Sequence, residues 1–158
     1  MKKIASLLLT LIVFGSCTQD ITKNNPSFQG LKDDVFWRAK DSYATIGTDG
    51  TLSITGLTQF ETVTLQTASA NPATYTLGVN QTNMASYVLA MGGDELIFET
   101  GTGDGDGEIK ITEYDTAKMT VSGTFRFNAI NVDNNPDGGE ILNFHEGNFY
   151  KVPVVPGL

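Results

Sequence analysis

From Leu31 onward the chain alternates apolar and polar residues with a period of two, and this pattern recurs in short runs separated by turn signals. Val35, Trp37 and Ala39 alternate with Phe36, Arg38 and Lys40; Leu52 and Ile54 alternate with Ser53 and Thr55. Val63 and Leu65 sit between threonines, and the pattern returns at Tyr75, Leu77 and Val79, at Ile109 and Ile111, and at Val121, Phe125, Phe127 and Ala129. A side-chain repeat of two places each apolar set on one face of a pleated strand. Valine, isoleucine, threonine and aromatics dominate, as strands prefer. Asp49-Gly50 reads as a two-residue hairpin loop, and Asn71-Pro72, Gly92-Gly93, residues 101–107 and residues 134–139 break other runs. Residues 81–86 allow a single helical turn. The pattern predicts about nine to eleven short strands and an all-β, single antiparallel β-sandwich or β-barrel domain over residues 31–158.

The front of the chain is built differently. Met1, Lys2 and Lys3 precede an apolar run over residues 4–14, then Gly15, Ser16 and the only cysteine, Cys17. As a helix that run reaches roughly 16 Å, against a hydrocarbon core of about 30 Å, so it is too short to span a bilayer and has the length of a signal-peptide core. The layout resembles a bacterial lipoprotein signal: residues 1–16 would be removed and Cys17 would become the lipidated terminus. Phe14 stands where such signals more often carry leucine, so an ordinary secretory signal with a free cysteine is the alternative. The resemblance implies several acyl chains on Cys17, and two or more hold firmly where one is marginal. Thr18 takes the place where the inner-membrane retention signal has aspartate, which points to the outer membrane; with only Asp20 acidic behind the cysteine, the occupied face is open. Residues 17–30, polar and carrying Pro26 and Gly30, read as a flexible tether.

Charge bounds the partners. The formal net charge is −8, from 18 acidic and 10 basic residues. Loss of Lys2 and Lys3 would take it to about −10. Phosphate backbones would be repelled, so nucleic acid is not expected as a partner. One cysteine permits no internal disulfide, and stability must come from packing and hydrogen bonds.

Further pieces resemble a family of small, uncharacterised β-rich lipoproteins common in Bacteroidetes, of the kind catalogued as a domain of unknown function. Phe36-Trp37-Arg38-Ala39 resembles its opening strand, and Ile54-Thr55-Gly56 and Thr74-Tyr75-Thr76-Leu77 resemble two middle strands. Gly107-Glu108-Ile109-Lys110-Ile111-Thr112, the run from Val121 to Ala129, and Glu146-Gly147-Asn148-Phe149 resemble later ones. The resemblance spans roughly residues 28–154, with the long 134–139 loop as a departure. It implies a β architecture and a cell-envelope location, and brings no activity, cofactor or catalytic residue.

Candidate sites are few. In residues 101–108, Asp104, Asp106 and Glu108 offer three carboxylates for calcium. The EF-hand template fails there, since Ile109 falls at the sharp-turn glycine and Asp115 at the bidentate glutamate; the competing reading is a flexible hairpin loop. His145, the only histidine, reads as a solvent-facing residue near a strand end. It has no recognisable nucleophile partner, because no Gly-x-Ser-x-Gly elbow occurs. Asp115-Thr116-Ala117 resembles an O-glycosylation acceptor of exported Bacteroidetes proteins, with Thr116 as the acceptor; the same residues suit a hairpin turn. Trp37, sharing a face with Val35 and Ala39, reads as core. No metal or other cofactor is expected, and no enzyme. The expected function is a lipid-anchored envelope module that binds a protein partner or serves structurally. The alternative is a lipocalin-like barrel whose Phe125 and Phe127 line an apolar ligand cavity.

Overall fold

A computed structural model describes residues 26–156. Its strands are β1 (Ser27–Lys32), β2 (Val35–Arg38), β3 (Asp41–Ile46), β4 (Leu52–Leu57), β5 (Glu61–Thr67), β6 (Ala73–Leu77), β7 (Met84–Met91), β8 (Asp94–Glu99), β9 (Asp106–Asp115), β10 (Thr120–Asn131) and β11 (Ile141–Val155). Among the described residues a single 3-10 turn, Pro136–Gly138, is capped by Asn135. The fold is all-β, as the alternation predicts. The first strand begins at Ser27, ahead of the expected start at Leu31, so the last residues assigned to a tether are sheet. The helical turn expected within residues 81–86 is instead an asparagine-capped turn. There the Asn80 side chain accepts the N–H groups of Thr82 and Asn83, and β7 follows at Met84.

Two layers face each other. One runs β2-β1-β11-β10-β9-β6 and the other β3-β4-β5-β7-β8. They are joined at two corners, where the end of β11 pairs with β3 and the end of β10 pairs with β8. Following hydrogen-bonded neighbours from β11 through β3, β4, β5, β7, β8 and β10 therefore leads back to β11. The sheet is not wholly antiparallel: Val154 and Val155 run parallel to Ala44 and Thr45, while the other pairings are antiparallel. A parallel pair needs a long connection, and most of the domain lies between β3 and β11.

The strand β11 serves both corners because it bends. Its buried residues fall at Leu142 and Phe144, then Gly147 and Phe149, then Val152 and Val154. Each break in phase coincides with a register shift against β10 and with a residue in the left-handed region, Glu146 (φ 50) and Lys151 (φ 48). These are β-bulges: one extra residue, a local bend, and the apolar face turned inward again. At the first, Gly147 leaves room for the Phe125 ring, which a Cβ would meet at 2.6 Å.

Aromatic rings fill the space between the layers. Phe144, fully buried, lies 5.6 Å from Trp37, 5.9 Å from Phe125, 5.2 Å from Phe127 and 6.3 Å from Tyr87, centroid to centroid. Phe28 adds contacts to Trp37 at 5.8 Å and Phe125 at 5.1 Å. Burying each such side chain contributes about 1.5–3 kcal/mol. Trp37 is core, as expected, but Val35 on its face is 66% exposed and Phe36 63% exposed, because β2 is the outermost strand of its layer.

Candidate functional site

A partly buried ion pair, Lys32 with Glu61, joins the two layers of the sandwich. Glu61 opens β5 on the same inward phase as Val63 and Leu65. It is set there by the preceding turn, in which the Thr58 hydroxyl accepts the Glu61 N–H at 2.9 Å. Lys32 ends β1, and its ammonium is ion-paired with Glu61 Oε1 and donates to the Tyr87 hydroxyl at 3.0 Å. Tyr87 in turn donates to Glu61 Oε1 at 2.8 Å, and the Trp37 indole N–H donates to Oε2 at 3.0 Å. The ammonium also lies 4.8 Å from the centroid of the Tyr87 ring.

Electrostatics follow from that geometry. Burial works to raise the Glu61 carboxyl, but hydrogen bonds from Lys32 and Tyr87, the Lys32 charge and the Trp37 N–H together hold it below the ordinary carboxylate range. Burial, then the hydrogen bond to Glu61 and the charges of Glu61 and Asp33, push the Tyr87 phenol far above its ordinary value. Tyr87 is thus a fixed donor and Glu61 a carboxylate already supplied with donors. A general base is most effective with a pKa near the working pH, and this carboxylate is shifted the other way. The cluster ties the β1–β2 hairpin of one layer to β5 and β7 of the other.

Sequence reading did not find this cluster. Glu61 stands 24, 26 and 29 positions from its partners Trp37, Tyr87 and Lys32. The only local signal was a charge at an inward position of an alternating strand.

The other expected sites lie elsewhere. His145 sits within β11, opposite Leu31, not at a strand end; its Nε2 is 2.8 Å from Asp34 Oδ1. The 101–108 segment is no hairpin loop: it carries the chain from β8 in one layer to β9 in the other. Asp104 is held in a tight turn with Gly101, Asp106 accepts the Asn128 side-chain N–H at 2.9 Å, and Glu108 pairs with Arg126 at 3.3 Å. The register of β9 on β10 fixes the last two pairs, and among the described residues no three metal-ligating side chains converge. Asp106 and Glu108, two of the three carboxylates considered for calcium with Asp104, are thus each engaged by a side chain of β10. Gly107 serves packing: at φ 135 it lets β9 approach β10 so closely that a Cβ would lie 2.2 Å from the Arg126 carbonyl oxygen. Thr116 is exposed in the β9–β10 turn, beside Asp115, whose Oδ1 accepts the N–H groups of Ala117 and Lys118. Cys17 lies outside the described residues.

Phe125 and Phe127, which a ligand carrier would turn toward its cargo, are buried and packed on each other at 6.1 Å and on Phe144. A depression of about 750 Å³ lies on the outer side of β3 and β4, between Tyr43, Thr45, Ser53, Thr55 and Val155.

A family model described as a domain of unknown function (DUF6252) matches residues 24–153. The chain belongs to this family. No curated protein and no solved structure matches it. The DUF6252 match starts shortly before β1 and ends within β11, so the family unit coincides with the closed sandwich and contains the whole Glu61 cluster. The expected membership of a family of unknown function is met. Among the described residues no helix is long and apolar enough to cross a membrane.

Proposed function

We propose that this DUF6252 chain is a non-enzymatic β module of the cell envelope, held at the outer membrane through lipid on Cys17 and acting by contact with another envelope component. The observation that carries the non-carrier, non-catalytic side of this reading is the interior. Phe144 is ringed by Trp37, Tyr87, Phe125 and Phe127 where a lipocalin-like protein would keep an open cavity. The partly buried carboxylate of Glu61 is taken up by Lys32, Tyr87 and Trp37. The anchoring side rests on the sequence: a basic start, an apolar run too short to span, and a cysteine directly after Gly15-Ser16. Membrane fractionation tests it. The native chain is expected in the envelope pellet and Cys17→Ala in the soluble fraction; a Cys17→Ala chain that still pellets would remove the anchor from this cysteine. Thr116 keeps its place as a candidate glycan acceptor, being exposed in a turn.

A further inference from the structure

We propose that the outer side of β3 and of the end of β11 is the face this domain lays on the bilayer, where it meets lipid headgroups and the upper acyl chains. The proposal rests on the Cys17-anchored reading and adds to it which surface touches the membrane.

A break in strand parity builds this face. Tyr150 and Val155 are five residues apart, so in a regular strand they would point to opposite sides. The bulge at Lys151 shifts the phase: Tyr150, Pro153 and Val155 all turn outward, while Phe149, Val152 and Val154 turn in. The parallel pairing of Val154 with Ala44 and of Val155 with Thr45 then sets Tyr43 and Thr45 beside them on the same outer side. Met119 arrives from the β9–β10 turn, its C=O accepting the Val154 N–H at 2.8 Å. Tyr43, Met119, Tyr150 and Val155 are all exposed. Ser53 and Thr55 on β4, then Thr64 and Gln66 on β5, continue the outer side. In a chain of 18 acidic and 10 basic residues, the outward positions of these three strands carry no charge beyond Asp41 at the start of β3.

The point where the chain enters the domain says what covers this face. Ser27, the first residue of β1, lies opposite Tyr150, and Cys17 stands ten residues before it. Ten residues reach at most about 36 Å even when fully extended, so lipid on Cys17 keeps the Tyr150 side of the domain near the headgroups. An attachment that short raises the effective concentration of the face at the surface to the millimolar range, where even a weak contact is occupied. The chemistry suits such a contact. Tyrosines and long lysine stems settle where acyl chains give way to headgroups, and the Lys151 ammonium lies 5.1 Å from the centroid of the Tyr150 ring. Because the outward positions of β3, β4 and β5 are nearly free of charge, laying them on lipid strips water from few ions. The net charge of −8 opposes approach to an anionic leaflet, and a zwitterionic one removes that term.

The test imposes the attachment chemically. The processed chain, Cys17 to Leu158, is joined through its Cys17 thiol to a maleimide-headgroup lipid in phosphatidylcholine vesicles, with and without bromine on the acyl chains. Buried Trp37 supplies a constant background. Tyr150→Trp is the probe and Val132→Trp the control: both positions are 42% exposed, but Val132 lies at the other end of the twelve-residue β10 from Met119. Bromine should quench the added emission of Tyr150→Trp roughly twofold or more beyond that of Val132→Trp. Adding Val155→Asp to the probe chain should bring its quenching down to the control level, since a carboxylate resists entry into the acyl region. Circular dichroism melts confirm that each variant is folded. Equal quenching of the two positions, or quenching that Val155→Asp leaves unchanged, would overturn the proposal. So would a blue-shifted Tyr150→Trp emission without bromine quenching, which would put a second copy of the chain on this face. Because the lipid is attached by the coupling, failure here strikes the docking face alone, whereas fractionation of Cys17→Ala tests the anchor.

Discussion

Glu61 illustrates what a single residue does here. Its carboxylate receives Lys32, Tyr87 and Trp37 from three other strands, so one side chain clamps two layers. Because its folded pKa lies below the ordinary value of about 4.3, its contribution is complete above roughly that pH and is lost as pH falls through the lower folded value. Glu61→Gln should therefore lower stability at neutral pH by about 1–3 kcal/mol, the range for hydrogen bonds to a charged group, reduced by the solvent that reaches the pair. In denaturant melts from pH 7 to pH 3, the gap between native and variant should close below about pH 4. A gap that persists unchanged at pH 3 would mean that the charge is not what matters. None of this could be read from local sequence, since a carboxylate at the start of a strand looks the same whether water or a lysine from another strand receives it.

At the scale of an element, β11 is the instructive case. Fifteen residues long, it is too long for one flat strand in a domain of this size, and its two bulges let it serve both layers. Burial alternates within each of its segments and breaks at Glu146 and Lys151, so His145, expected near a strand end, lies inside the strand. A non-glycine residue held at positive φ carries strain of about 1 kcal/mol or more. Glu146→Gly should relieve it and raise the melting temperature by an amount equivalent to about 0.5–1 kcal/mol, whereas Glu146→Val should lower it. Thermal melts of the pair decide the point, and a glycine variant less stable than the valine one would refute it. The β3–β4 hairpin shows the same limit in milder form. Asp49-Gly50 does mark it, but the loop has three residues: Gly47 and Thr51 close it and Gly50 (φ 87) supplies the left-handed position. Dipeptide signals locate turns better than they fix loop length, because the flanking pair also chooses.

For the whole molecule, the decisive property is that the interior is occupied by its own aromatic rings. A fluorescent fatty acid titrated into the purified chain should show no saturable emission increase at micromolar concentration; saturable one-to-one binding would restore the carrier reading. Period-two alternation, strand-forming residues and closely spaced turns determined by themselves that the chain is all-β, because side-chain direction in a strand depends only on neighbours two residues away. The fixed arrangement at the front of the chain likewise made Cys17 readable as a candidate anchor. Only the tertiary structure decided which strands pair, that β11 meets β3 in parallel and closes the sandwich, that Asp106 and Glu108 meet Asn128 and Arg126, and that Glu61 finds Lys32. Those outcomes depend on pairing partners tens of residues apart, selected by the joint packing of both layers, and no local stretch of sequence carries that information.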